Sequence, residues 1–350
     1  MKKSVIIIIL LVLTLIIPHA PEVRGYSNIY QKTYYDNNIP YIVVSIPSLA
    51  MIAKHITGNT SIIDTILPEG VDPHSYSLTV EDVEKINKAD LLILADIEHL
   101  TLEAQILENS ENKIFLDFKN YTAYGAYMID IPGFKHNFHG YWIYPDNALA
   151  IAEAIHDTLS SMFPQLKEHY DENLNVFKER ISELKMEFRA VSEKYGLNNT
   201  GVAIAVPGVA YIAKMFGFEI KALFIKGPGR FINATEIAKI ENDIRSGKIK
   251  YIVCESILKD AKAGELSEQI AEDTGIQVIY VSIFSLRILK DYFSLMTYNI
   301  AAVESVVSHQ EGGKDQQLQL FSMYIVVSIL AIISFIEGFI IFRMRKSIEE

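Results

Sequence analysis

Short continuous apolar runs alternate with amphipathic segments along most of the chain. Ile42–Ser45 reads as a strand buried on both faces, Pro47–Thr57 as a helix closed by Gly58, and Ser61–Leu67 as a second strand. Leu78–Asp90 reads as a helix N-capped by Thr79 with Asp82 three residues on, and Leu91–Asp96 as a third strand. Strand, helix, strand, helix, strand in that order predicts right-handed βαβ units around a parallel sheet. Lys113–Asp117 offers a fourth strand, and Asn120–Trp142 shows no clear period. From Pro145 to Tyr195 the pattern is helical with a break near Pro164. Leu166, Tyr170, Leu174, Phe177, Ile181, Leu184, Phe188 and Val191 form one apolar stripe down a helix of roughly thirty residues and about 45 Å. The same grammar then returns. Val202–Val206, Glu219–Phe224, Lys250–Glu255 and Gln277–Ser282 read as strands. Helices are expected over Gly208–Phe216, from Asn233, over Gly264–Thr274 and from about Leu286 to Val307. The expected fold is α/β: two parallel-sheet lobes, residues 27–160 and 197–308, joined by one long helix over 161–196.

The two ends differ from this core. Residues 1–25 hold a charged start, an apolar run and a small-residue exit, as in a secretory signal. Residues 309–319 form a polar tether, 320–342 an apolar run long enough to span a bilayer, and 343–350 a tail opening on Arg343-Met344-Arg345-Lys346. This pattern predicts a C-terminal transmembrane anchor with the lobes outside the cell, and Glu337 is its one acidic interruption. The formal net charge is −11 and no basic run is interleaved with aromatics, which argues against nucleic acid as a partner. The single cysteine, Cys254, forms no internal disulfide. Four Asn-x-Ser/Thr triplets, at Asn59, Asn120, Asn198 and Asn233, are compatible with an extracellular glycoprotein.

Candidate chemistry collects at one loop. Pro68-Glu69-Gly70-Val71-Asp72-Pro73-His74-Ser75-Tyr76 is rich in turn residues and holds a histidine beyond the end of a strand, where open α/β sheets bind ligands. His55, His99, His156 and His169 fall on helices or helix ends and read as surface or packing residues. There is no nucleophile elbow, phosphate loop or HExxH, so nothing points to an enzyme.

With these residues the arrangement resembles the zinc/manganese-type (cluster A-I) solute-binding proteins of ABC importers, in a membrane-anchored form. The resemblance rests on Pro68–Thr79 with Asp82 and Ala89-Asp90-Leu91-Leu92; on Trp142, Pro145, Asn147 and Ala148; on Tyr170 and Asn173; on Ala234-Thr235-Glu236-Ile237 and Glu255; on Glu268–Gly275; and on Tyr292 with Met296-Thr297-Tyr298-Asn299. It covers most of residues 40–307.

The resemblance implies a divalent ion, Zn²⁺ with Mn²⁺ as the alternative, held between the lobes by about four side chains and delivered to an ABC permease. His74 is then the first ligand. His139 is the second, one residue out of the family's spacing to Trp142, and His136 competes with it. The third position falls at Val206-Pro207-Gly208 and the fourth at Ser282-Ile283, and neither carries the family's donor. Replacements open to the chain are His136, Glu69, Asp72, Glu255 and Cys254. Glu255 reads more readily as a structural acceptor at a strand end than as a ligand, and Cys254 as a core residue. The incomplete donor set also motivates a second expectation, a surface interaction or adhesion protein with a degenerate metal site.

Overall fold

A computed structural model describes residues 39–227, 229–284 and 291–308. The first lobe is a four-stranded sheet of β1 (Tyr41–Val44), β2 (Ile62–Thr65), β3 (Leu91–Ile93) and β4 (Ile114–Leu116), in the order β2-β1-β3-β4. Every pairing is parallel, with Val44 opposite both Thr65 and Ile93. β1 and β3 are the central strands, and Ile42, Val44 and Leu91–Ile93 are fully buried, which explains their unbroken apolar run. Helices α1 (Pro47–Thr57), α2 (Val80–Lys88) and α3 (Thr101–Glu108) make the crossovers.

After a short α4 (Phe118–Thr122), the segment that lacked a period folds as an antiparallel hairpin of β5 (Ile129–Ile131) and β6 (Phe134–Asn137). Strands of three and four residues are too short to establish a period. Gly133, at φ +78°, makes the turn between them. A 3-10 turn over Tyr141–Ile143 then leads into α5 (Pro145–Met162).

The expected long helix is α6 (Lys167–Lys194), separated from α5 by Phe163 and a 3-10 turn at Pro164–Leu166. Its 28 residues span about 42 Å at 1.5 Å per residue. Tyr170, Leu174, Phe177, Ile181, Leu184, Phe188 and Val191 are all buried, and α6 packs against α5 and α1.

The second lobe repeats the first: β7 (Gly201–Ile204), β8 (Glu219–Leu223), β9 (Tyr251–Glu255) and β10 (Gln277–Val281) pair in parallel in the order β10-β9-β7-β8. Its helices are α7 (Ala210–Met215), α8 (Ala234–Arg245), α9 (Lys262–Thr274) and α10 over 292–308. One apolar cluster runs through both lobes and takes in Leu92, Phe177, Val202 and Val253. A second covers the other face of the C-terminal sheet and contains Ile252, Cys254 and Ile270. Cys254 therefore points away from its neighbours Val253 and Glu255, as strand alternation requires.

The signal (1–25), tether (309–319), anchor (320–342) and tail (343–350) lie outside the described residues, as does the start of the last expected helix. Among the described residues no helix is long and apolar enough to cross a membrane.

Candidate metal centre

The loop after β2 carries His74 and is fixed by its own polar residues. Asp72 Oδ1 accepts from His74 N at 3.0 Å, and Asp72 O accepts from Ser75 N at 3.1 Å. Gly70 supplies the turn at φ +79°. The loop ends in a reciprocal cap: Asp82 N donates to Thr79 Oγ1 at 3.2 Å, and Thr79 N donates to Asp82 Oδ2 at 2.9 Å. Tyr76 OH also donates to Asp82 Oδ2, at 2.8 Å. Burial acts to raise the Asp82 carboxyl, and the bonds from Thr79 and Tyr76 outweigh it, holding it below its usual range.

His139 follows the hairpin. Its backbone N donates to Asn137 Oδ1 at 3.2 Å, and Asn137, fully buried, donates from Nδ2 to Pro207 O of the second lobe at 2.8 Å. Tyr211 of α7 donates its hydroxyl to Asn137 O and accepts from Ile129 N at 3.2 Å, so the hairpin is bonded to the second lobe along both strands. The His139 ring stacks on Phe138 at 4.0 Å and meets the edge of Phe134 at 5.5 Å. Burial, with smaller contributions from His74 and His99, pushes the imidazole down to about 4, so it is neutral at pH 7. Its Nδ1 is buried and has no hydrogen-bond partner among the described residues.

The rings of His74 and His139 lie 6.2 Å apart with their planes at 54°. Zn–N bonds of about 2.0–2.1 Å place two imidazoles on one ion at centroid separations of roughly 5–6 Å, so the pair is within a small adjustment of sharing a metal. The other sequence candidates do not join them. His136 sits at φ +51° with 79% of its side chain exposed and faces Asp130 at 4.0 Å. Glu69 and Asp72 stand at the rim and are exposed. Cys254 is in the second core, where burial pushes its thiol up to about 11.

Glu255 lines the cleft wall but its carboxylate is engaged. Ser282 Oγ donates to Oε1 at 2.9 Å and Ile283 N to Oε2 at 2.9 Å. Burial raises this carboxyl to about 7. Ser282 is held from its other side by Asn299, which accepts from Ser282 N at 2.7 Å and donates to Ser282 O at 2.8 Å. The fourth-ligand position thus serves as a structural brace. At the third, an ideal Cβ on Gly208 would lie 2.3 Å from Ile283 Cδ1. Ile283 fills the space a donor side chain would need. Among the described residues no group of three or more His, Cys, Asp or Glu is disposed around one ion.

Sequence reasoning missed His99 as a neighbour of the site. It stacks on Phe138 at 4.5 Å and pairs with Asp96 Oδ2 at 2.8 Å. The Asp96-x-x-His99 spacing was the available signal. His74, His139, Gly208 and Ile283 all border a cleft of about 490 Å³ whose walls come from both lobes.

Comparison with known proteins places the chain in a family. The family model described as zinc-uptake complex component A, periplasmic, matches residues 42–306. The manganese ABC transporter substrate-binding lipoprotein PsaA of Streptococcus pneumoniae serotype 4 is 25% identical over 272 residues, covering 74% of this chain and 86% of that protein. The zinc-binding lipoprotein AdcA of Streptococcus pneumoniae is 25% identical over 279 residues, covering 74% of this chain and 54% of that protein. The laminin-binding protein Lmb of Streptococcus agalactiae, titled a bifunctional protein with adhesin and metal transporting activity, superposes with a TM-score of 0.63 at 19% identity, covering 76% of this chain and 98% of that one. The chain belongs to the zinc-uptake component A family of metal-binding ABC-transporter substrate-binding proteins.

Proposed function

We propose that this protein is an extracellular receptor that captures a metal ion at His74 and His139 and delivers it to an ABC import permease. The observation that carries the reading is the pair of imidazoles, 6.2 Å apart, at the mouth of a cleft between the lobes. Both donors are nitrogen, and an imidazole pair favours Zn²⁺ over Mn²⁺, whose preferred ligands are oxygens. Two imidazoles leave a tetrahedral ion with two open positions, which suits a cargo that must be released. The sequence supports retention at the cell surface by the apolar run 320–342, with the positive tail inside. The exposed sequon asparagines 59, 120, 198 and 233 are accessible to glycosylation, although Asn120 and Asn233 already cap helices through their side chains.

The test is thermal melting of the full-length protein in detergent. Zinc at about a hundredfold its dissociation constant adds roughly 2.7 kcal/mol to stability. The melting temperature is expected to rise with zinc, to rise less with manganese, and to be unmoved in His74→Ala. His74 is exposed, so its removal leaves the core intact. No zinc response in the unmodified protein would remove the reading and leave surface adhesion, motivated by the missing third and fourth donors, as the function to pursue.

A further inference from the structure

The cleft is built for more than a bare ion. Six coordinated waters at about 30 Å³ each occupy roughly 180 Å³, well under the cleft's 490 Å³. That volume lies within the range typical of sites for small organic molecules. Its walls are mainly apolar, with Phe134 and Phe138 against His139, and Trp142 and Phe284 also line it. Apolar residues stand exposed on both lips, Val71 on the first lobe and Ile257 on the second.

The two missing donors fit the same purpose. The Ile283 side chain takes the space a side chain at Gly208 would need, so the cleft wall beside the His139–Gly140 backbone is closed with hydrocarbon. Glu255, the remaining acid in the wall, is bonded by Ser282 and Ile283.

Charge narrows the occupant further. Glu69, Asp72 and Asp96 border the cleft, and no lysine or arginine does among the described residues. A complex that stays cationic is attracted by this rim, whereas an anionic chelate is repelled. The aromatic side chains offer flat faces to a planar partner. Trp142 also borders the cleft, and its buried indole N–H has no partner among the described residues.

We propose that the cargo is a divalent metal ion already bound by a small, neutral, aromatic nitrogen-donor chelator, with His74 and His139 taking two coordination positions the chelator leaves open. On binding, two metal-bound waters leave and two imidazole nitrogens replace them, so the ion keeps its charge and oxidation state. The proposal rests on the metal-receptor reading and specifies the form in which the metal arrives.

Calorimetric titration of the full-length protein in detergent with zinc alone, bipyridine alone, and the one-to-one zinc–bipyridine complex separates the two readings. The complex is expected to bind at least about tenfold more tightly than zinc or bipyridine alone, with His74→Ala removing that advantage. Ile257→Ser, a change at an exposed lip, is expected to weaken the complex about threefold or more and to leave zinc unchanged. Zinc binding as tightly as its complex overturns the chelate while the metal receptor stands. Bipyridine alone matching the complex, with no dependence on His74, overturns the metal's part in it. No heat from any of the three overturns both readings.

Discussion

Gly208 and Ile283 show how replacement of a ligand is accommodated at the level of single residues. A donor at position 208 needs a Cβ, and the Ile283 Cδ1 stands 2.3 Å from where it would be. The two positions share one space, so their energies are expected to be coupled. Gly208→Ala is expected to cost about 1–3 kcal/mol through overpacking. Ile283→Ala alone leaves a void, and in the double variant the new methyl occupies part of it. Urea unfolding of the two singles and the double is expected to show a double variant less destabilised than the sum by about 0.5–3 kcal/mol. Strict additivity would count against the pairing. In the sequence, the absence of donors at Val206–Gly208 and Ser282 was legible because it is a property of single positions. What fills the space was not, because the packing of Ile283 on Gly208 exists only once the loops after β10 and β7 meet across the end of β9. Likewise, the spacing to Trp142 left His136 and His139 in competition. In the folded chain His136 is exposed to solvent, whereas the His139 ring lies 6.2 Å from that of His74.

At the scale of elements, the parallel strands, the long helix and the capping box at Thr79 were all legible, since each has a local period or an end signal. Helix α3 was not, because its N-cap position is Leu100 and no side chain caps it. Yet α3 carries Glu103, fully buried, which ties β1 to β3. Oε1 accepts from Ser45 Oγ at 2.5 Å and Ala95 N at 2.6 Å, and Oε2 accepts from Asp96 N at 2.6 Å. A carboxylate in such a place escapes sequence reading, which assigns acids to surfaces. Burial raises Glu103 from 4.5 to about 7 despite these bonds. The folded state therefore holds a proton that the unfolded chain releases between those two values. The corresponding stability is fully present below pH 4.5 and is lost as pH rises through about 7, amounting to roughly 3 kcal/mol. Glu255 acts in the same sense, while His139, lowered to about 4, acts in the opposite one by losing stability as pH falls below 6.5. Comparing Glu103→Gln with the unmodified protein isolates one member of this set. The stability difference in favour of the unmodified protein is expected to be larger near pH ~5 than near pH ~8 by about 2–3 kcal/mol. Equal differences at the two values would exclude a raised Glu103.

The whole molecule carries two sheets but shares one core between them, and this decides how it unfolds. Domains that meet through a modest interface unfold separately, and chains well above about 150 residues commonly do so. Here the apolar cluster is continuous from Leu92 in the first sheet through Phe177 on α6 to Val202 and Val253 in the second. Polar ties reinforce the continuity. Asn173 Nδ2 on α6 donates to Ile56 O of α1 at 2.9 Å, and Tyr292 OH on α10 donates to Ile143 O at 2.8 Å. His55 Nε2 on α1 pairs at 2.6 Å with Asp291, next to the start of α10. The His55 bond holds the Asp291 carboxyl well below the usual range, so the aspartate stays ionised under all ordinary conditions. Neither sheet can then lose its inner face without exposing the other's, and the two lobes are expected to melt in one transition. The chain has a single tryptophan, Trp142, beside the cleft in the first lobe, so its fluorescence follows that region while far-UV circular dichroism follows both sheets. The two melting midpoints are expected to coincide, and zinc to move both by the same amount, because metal captured at His74 and His139 stabilises whatever unfolds with them. A fluorescence midpoint several degrees below the dichroism midpoint would show that the lobes part before they unfold, and would locate the shared core's weakest seam at the cleft.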